Sequence, residues 1–325
     1  MGMFGGEASF GLDIGFETLK LVQLNRGRNI ALRGAVDFPI TARLLEKDRF
    51  RDKQVTADMI KKACAAAKPH QITAKKIISA LPETFVFSKT IQMPKMSDKE
   101  YQTAVPSEAT KYLPIPIDEV YIDYQKLIVH PDEPLIDLLL VAAPKRLVDD
   151  YVEVAKMAGC ELAALETKPL AVGRALIPAR NNRGILILEI GTEVSRISIW
   201  DSGKIRLATT VGVGKNQIAN AVGISPNQGL NDGSFEEPIR KSGVLKPIID
   251  EITVTIRYHQ NRDYHPKPIE EIMLCGSGSK FLGIDKFIQS ESKIKTNIIS
   301  PRLSGNSKLD TSFTTAYGLA LRKEI

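Results

Sequence analysis

Three hundred and twenty-five residues, at about 150 per domain, predict two domains, each long enough to bury its own core. With 43% apolar and 25% charged residues, the composition is globular and excludes a disordered, collagen-like or coiled-coil chain. Lys and Arg number 44 against 38 Asp and Glu, a net charge of +6. These charges are interspersed rather than gathered in like-sign runs, so a solvated surface is expected and a basic nucleic-acid arm is not.

In chain order, Phe10–Ile14, Thr18–Leu24 and Ile30–Val36 read as three meandering strands. Their first turn carries Asp13 and Gly15 at the end of a buried strand. Val55, Met59, Ile60, Ala63 and Ala67 recur at helical spacing behind Thr56 as a cap. Lys76–Leu81 and Val86–Met93 read as strands around the turn Pro82-Glu83-Thr84. Ser97-x-x-Glu100 is a capping box opening a helix toward Tyr112, which Pro106 is expected to kink or break. Leu113-Pro114-Ile115-Pro116 stops that helix, and Val120–Val129 and Leu135–Ala142 are two further strands. Asp37–Val129 thus reads as a small α+β unit inserted between pieces of a larger sheet.

Pro144 opens a helix carrying Leu147, Val148, Tyr151, Val154, Ala155 and Ala158, with Gly159 as its C-cap. A strand over Leu162–Leu165 and a helix over Leu170–Ile177 follow, and the polar loop Pro178–Gly184 is the expected domain boundary. Beyond it, Ile185–Ile190, Ser195–Trp200 and Lys204–Val211 repeat the opening meander, an internal duplication. Next come a helix at Lys215–Val222, a polar loop over Ser225–Ser242, a long helix Val244–Arg262 and a buried strand Ile269–Leu274 running into Cys275-Gly276-Ser277-Gly278-Ser279. A helix near Lys280–Gln289, a strand near Lys295–Ile299 and a last helix Ser312–Leu321, expected to pack back on the first domain, complete the chain.

Three separated cysteines, Cys64, Cys160 and Cys275, form neither a disulfide framework nor a C-x-x-C motif, which suits a reducing compartment. The start, Met-Gly-Met-Phe-Gly-Gly-Glu, lacks the pattern of a signal peptide, and the longest apolar runs fall far short of the ~20 residues that span a bilayer. A soluble chain is expected, with His70, His130, His259 and His265 isolated in sequence and no zinc motif among them. There is no G-x-S-x-G elbow and no P-loop, since Gly212-Val213-Gly214-Lys215 has the wrong spacing. Tyr101 and Tyr112 are too sparse for a base-stacking platform.

Two related turns carry the chemistry. Asp13-Ile14-Gly15-Phe16-Glu17-Thr18 and Glu189-Ile190-Gly191-Thr192-Glu193-Val194 each put a carboxylate at a strand end and a glycine in the turn. Facing each other, such turns could clamp a polyphosphate: glycine lets backbone amides approach the phosphate oxygens, and a carboxylate orients hydrated Mg²⁺. Each alone is usually structural. Gly276-Ser277-Gly278 adds a third turn between strand and helix, as a phosphate or sugar site would.

The order of these features resembles the actin-like ATPase superfamily, an α/β, ribonuclease H-like duplicated two-lobe fold. Within it, Gly11-Leu12-Asp13-Ile14-Gly15 with Thr18-Leu19-Lys20-Leu21-Val22, Ala80-Leu81-Pro82, Lys111-Tyr112-Leu113-Pro114-Ile115-Pro116 with Glu119-Val120-Tyr121-Ile122-Asp123-Tyr124, and Ala316-Tyr317-Gly318-Leu319-Ala320-Leu321-Arg322 closely resemble the PilM family, the FtsA-like proteins of type IV pilus assembly. The resemblance covers nearly the whole chain. It implies a first lobe over 1–36, 130–180 and 310–325, a second over 181–309, and an FtsA-type α+β subdomain over 37–129 packed on the first lobe rather than the second. It further implies a nucleotide cleft formed by Asp13, Gly15, Thr18, Lys20, Glu189, Gly191, Thr192, Ser195, Gly212, Gly214, Gly276, Ser277 and Gly278, with Asp13 and Glu189 holding a hydrated magnesium beside ATP. The inserted subdomain would grip the cytoplasmic N-terminal peptide of a PilN-like membrane protein, at the inner face of the cytoplasmic membrane, with Val105, Ala109, Tyr112 and Leu113 as one groove wall.

Three departures fall on the nucleotide site. Phe16-Glu17 stand where small hydroxyl residues are usual, Glu189 replaces an aspartate, and Ser225–Ser242 has no clear counterpart of the nucleoside-contacting segment. A carboxylate beside a triphosphate costs Coulomb energy unless a cation intervenes. The expectation is therefore a scaffold with a weakened or degenerate ATP site, at most a weak ATPase. The competing reading is an active ATPase or small-molecule kinase on the same fold.

Overall fold

The computed structural model describes residues 8–26, 30–46, 48–127, 134–178, 180–225, 235–262, 266–303 and 308–322. The chain opens with an antiparallel meander, β1 (Ser9–Ile14), β2 (Thr18–Arg26) and β3 (Ile30–Pro39). A small hairpin, β4 (Leu45–Glu46) and β5 (Arg49–Phe50), leads to helix α1 (Lys53–Ala66), whose first turn is capped by Asp52 accepting from the Val55 amide. Strand β6 (Lys68–Pro69) pairs with the outer edge of β3, and β7 (Lys76–Leu81) runs parallel to β1.

Strand β8 (Phe87–Pro94), helix α2 (Asp98–Ala109), strand β9 (Val120–Lys126) and strand β10 (Leu135–Pro144) then form a separate three-stranded sheet, ordered β8-β10-β9, with its own helix. Helix α3 (Lys145–Met157), strand β11 (Glu161–Thr167) and helix α4 (Lys168–Leu176) return to the first sheet, ordered β11-β7-β1-β2-β3-β6.

The second half repeats that plan. Strands β12 (Gly184–Ile190), β13 (Ser195–Asp201) and β14 (Lys204–Val211) are again an antiparallel meander. Helices α5 (Lys215–Ala221), α6 (Glu236–Ser242) and α7 (Lys246–Arg262) precede β15 (Ile269–Cys275), helix α8 (Ile284–Ser292) and β16 (Lys295–Ile298). The sheet order β14-β13-β12-β15-β16 matches β3-β2-β1-β7-β11 strand for strand. Strands β1 and β12 are buried along their whole length, as central strands covered on both faces must be. Helix α9 (Thr314–Leu321) packs back on the first sheet, between β1 and α4, as expected. Small residues let it approach: a Cβ on Gly318 would lie 1.9 Å from the Ala171 carbonyl.

Sheet membership moves the boundaries of the inserted unit. Helix α1 and strand β7, expected inside a unit over 37–129, belong to the first lobe, because β7 pairs with both β1 and β11. Leu135–Pro144, expected in the first lobe, pairs with β8 and β9 instead. The unit also packs on both lobes rather than the first alone. Leu127 and Leu139 share a core with Ile185, Ile187 and Trp200 of the second sheet and Val172 of α4. Thr90 Oγ1 donates to the Arg206 carbonyl at 2.8 Å, and the Arg206 guanidinium pairs with Asp137 at 3.2 Å.

Pro106 does not end α2, which runs to Ala109. It forfeits one backbone bond, while Tyr101, Val105 and Ala109 on the same helix are buried against Ile91, Met93, Ile136, Leu138 and Leu140. Of the expected loop Ser225–Ser242, residues 226–234 lie outside the described ones and Glu236–Ser242 is helical. Among the described residues, no helix is long and apolar enough to cross a membrane.

Candidate functional site

The two acidic-Ile-Gly turns close in the same way. The Gly15 amide donates to the Thr18 carbonyl at 2.9 Å, and the Gly191 amide donates to the Val194 carbonyl at 3.0 Å. A Cβ would stand 2.9 Å from the first of these carbonyls and 2.8 Å from the second, so each turn needs glycine. They terminate β1 and β12, and they meet through α5. The Lys215 and Asn216 amides donate to the Gly191 and Thr192 carbonyls at 2.8 and 3.0 Å, seating α5 on the second turn. From the first turn, the Glu17 carboxylate accepts from Lys215 at 3.1 Å and from Asn216 Nδ2 at 2.8 Å. The gap between the turns is therefore crossed by a salt bridge.

Beneath it lies a buried ion-pair chain. Asp13, at the end of β1, is 2.7 Å from the Lys168 ammonium at the start of α4. Glu83, just after β7, accepts from Arg196 Nε at 2.6 Å and from the Lys168 amide at 3.1 Å. The same guanidinium reaches Glu189 at 3.2 Å, and Glu189 also accepts from Thr315 Oγ1 of α9 at 2.9 Å. Burial alone would raise the Asp13 carboxyl; the ammonium of Lys168, aided by Lys20 and Arg196, outweighs it and holds the group below its ordinary value. At Glu17 burial is likewise outweighed, here by hydrogen bonds from Asn216 and Lys215. Burial would lower the Arg196 guanidinium, but Glu83 and Glu189 push it upward, so it stays charged.

The remaining expected cleft residues divide. Lys20 is turned to Asp37 at 3.3 Å and to Thr18 Oγ1 at 2.5 Å. Ser195 is fully buried and donates to the Val213 carbonyl at 2.6 Å. A Cβ on Gly214 would lie 2.6 Å from Glu193 backbone, so this glycine serves the contact of α5 with the turn, whereas Gly212 faces open space. Gly276 has φ +89° and Gly278 abuts Ile190, whose Cγ2 would be 2.2 Å from an added Cβ. Gly276 and Gly278 thus fit the third turn against the end of β12, with Ser277 half-buried between them. Glu83, Lys168, Arg196 and Thr315 were missed from sequence. Three of them had one readable signal: Glu83 and Lys168 directly follow parallel strands, where open α/β sheets gather their polar groups, and Arg196 lies two residues after the second turn.

A magnesium–ATP group does not fit these side chains as they stand. Asp13 and Glu189 are each met by a cation, so a divalent ion would have to displace a buried Lys168 or Arg196. Among the described residues, no three His, Cys, Asp or Glu side chains gather in a metal-holding group. Glu17 adds a further carboxylate between the two turns. His259 is buried with Nε2 3.3 Å from the Lys267 carbonyl, whereas His130 and His265 lie outside the described residues.

A second feature lies between the first lobe and the inserted subdomain. A cavity of about 430 Å³ is lined by Phe85, Val86, Phe87, Leu113, Ile115, Val120 and Pro144. Asp48 and Arg146, paired with each other, also line it. Strand β9, which begins at Val120, is an edge of the three-stranded sheet. Of the four expected wall residues, Leu113 lines the cavity. Val105 and Ala109 are 0% exposed and do not: they face the subdomain's own sheet, because helical spacing puts them on the face that covers β8 and β10. Tyr112 packs on that same core with the Lys89 ammonium 4.1 Å over its ring.

Comparison with known structures places this arrangement. The structure titled as the PilM-PilN type IV pilus biogenesis complex superposes with a TM-score of 0.82 at 24% identity, covering 96% of this chain and 97% of that one. The ethanolamine utilization protein EutJ from Carboxydothermus hydrogenoformans gives 0.56 at 15% identity, over 98% and 91% of the two chains. MreB 5 of Spiroplasma citri bound to AMPPNP gives 0.53 at 14% identity, over 97% and 95%. The duplicated two-lobe architecture is thus the actin-like fold. The sequence profile of the type IV pilus assembly protein PilM matches residues 11–324, and the chain belongs to that family.

Proposed function

We propose that this chain is a cytoplasmic scaffold of type IV pilus assembly that holds an extended peptide from the cytoplasmic end of a PilN-like membrane protein. The observation that carries this reading is the cavity between first lobe and inserted subdomain: mostly apolar in its lining, near 430 Å³, and with Val120, the first residue of an edge strand, among its lining residues. An edge strand supplies backbone hydrogen bonds to an extended peptide and the pockets beside it select side chains. Membership of the PilM family and likeness to the structure titled as a PilM-PilN complex support the choice of partner. The bound partner would bring the chain to the inner face of the cytoplasmic membrane. In this reading the cleft is degenerate and turns over no nucleotide. A kinase needs a general base free to take a proton, and the cleft carboxylates Asp13, Glu83 and Glu189 are all held in ion pairs.

The test is fluorescence anisotropy of a labelled N-terminal peptide from the PilN-like protein. Wild type should bind at micromolar Kd. Ile115→Glu, at a wall position already 37% exposed, should leave the melting temperature in place and weaken binding by at least about 30-fold, the cost of an unpaired carboxylate in an apolar contact. Binding that survives this substitution unchanged removes the groove from the proposal.

A further inference from the structure

We infer that the cleft is clamped shut by the protein's own side chains, which join the two lobes where a metal-bound nucleotide would otherwise join them. The clamp rests on the reading that the cleft turns over no nucleotide and is independent of the peptide groove. Three of the links between lobes close the cleft at the two acidic turns. Glu83 of the first lobe meets Arg196 of the second at 2.6 Å, with both side chains 15% exposed or less. Thr315, on the helix packed against the first sheet, donates to Glu189 of the second at 2.9 Å. Glu17 in the first turn meets Lys215 and Asn216 on α5.

Each cation in this set is matched by a carboxylate. Lys168 neutralises Asp13, Arg196 is shared by Glu83 and Glu189, and Lys215 answers Glu17. No cation of this set is left over to attract phosphate, and an incoming polyphosphate would face Glu17 while competing for Lys215. The links also form two layers. The Arg196 link is buried, hence little screened by salt, whereas Glu17 is 39% exposed and its pair with Lys215 weakens as salt rises. The outer pair therefore opens before the inner one.

The experiment uses the whole chain, with thermal unfolding and small-angle X-ray scattering as readouts. In wild type, millimolar Mg-ATP should move the melting temperature by less than about 1 °C, since a ligand that does not bind the folded state adds nothing to its stability. Arg196→Met should lower it by roughly 5 °C and raise the radius of gyration as the lobes part, with Arg196→Lys between the two because it keeps the charge and loses the two-pronged geometry. Glu17→Lys and Lys215→Glu should each destabilise, and their combination should recover most of the loss. This swap decides the matter even where Arg196→Met fails to fold. A wild-type rise of several degrees with Mg-ATP would overturn the reading that the cleft takes no nucleotide, and the clamp with it. No response to Mg-ATP, together with a swapped pair no better than the worse single variant, would overturn the clamp alone.

Discussion

The joint between the inserted subdomain and the second lobe should be held in large part by one arginine. Arg206, on β14, is 9% exposed and reaches Asp137 of β10 at 3.2 Å and Asp201 at 4.0 Å. Arg206→Met keeps most of the apolar stem and removes the charge. Stripping one partner from a buried pair costs about 3–5 kcal/mol. Both carboxylates keep other donors: Asp137 accepts from Gln92 at 3.2 Å, and Asp201 from the Lys267 amide at 3.0 Å and Ser202 at 2.8 Å. Arg206 Nε is itself buried without a hydrogen-bond partner among the described residues, so removing it relieves about 1 kcal/mol. The net cost is about 3 kcal/mol. Unfolding entropy of about 2.1 cal/mol/K per residue, over 325 residues, converts this to a fall of about 4 °C in melting temperature. Calorimetry on Arg206→Met reads that fall directly, and Asp137→Asn added to it should cost less than the two single effects together. A melting temperature within about 1 °C of wild type, or strict additivity, would refute the joint as described.

Gly278→Ala should lower the melting temperature by about 3 °C, because its Cβ would press to 2.2 Å from Ile190 Cγ2 and overpacking costs about 1–3 kcal/mol. Gly212→Ala, in open space, should be neutral or slightly stabilising; equal effects from the two would disprove the packing role of the third turn. Acid should weaken the fold through Asp13 and Glu17. Their ordinary values are 3.8 and 4.5, and both are lowered in the folded chain, so their contribution is full above those values and is lost as pH falls through the lower folded ones. Urea midpoints should therefore fall as pH drops below about 4.5, and Asp13→Asn should flatten the fall below about 3.8; an unchanged slope in that variant would exclude Asp13 as a source.

Local pattern carried most of the secondary structure. The meanders at both ends of the duplication, the capping box at Ser97, the strand at Lys76–Leu81 and the closing helix all lie within a few residues of where periodicity and caps put them. What local pattern could not carry was sheet membership. Strand β7 joins β1 across more than sixty residues of chain, and nothing in Lys76–Leu81 itself distinguishes that pairing from one with β8. Val105 and Ala109 turn to the subdomain's own sheet, which local pattern could not tell for a related reason. Val105 and Ala109 share a helical stripe with Tyr101, and a stripe reads the same whether it faces a ligand or a sheet. In the cleft the turns were legible because glycine and carboxylate sit together in sequence. Their counterions were not, since Lys168 and Arg196 reach Asp13 and Glu83 only after both sheets have formed.

The second turn carries a glutamate, Glu189, where the first carries an aspartate, Asp13. Asp13 and Glu189 occupy equivalent strand ends in two sheets of identical order, yet they serve different neighbours. Asp13 stays within its own lobe, paired to Lys168 at the start of α4. Glu189 is one methylene longer, and its two oxygens divide between lobes, one taking Arg196 from the adjacent strand β13 and the other Thr315 from α9. A shorter side chain fixed at the same Cα would give up reach toward one of them. Because α9 packs on β1 and α4, the Thr315 bond ties the second turn to the helical layer behind the first. The extra methylene thus lets one carboxylate reach both lobes. It accords with Glu17 at the facing turn, which likewise finds its partners across the cleft.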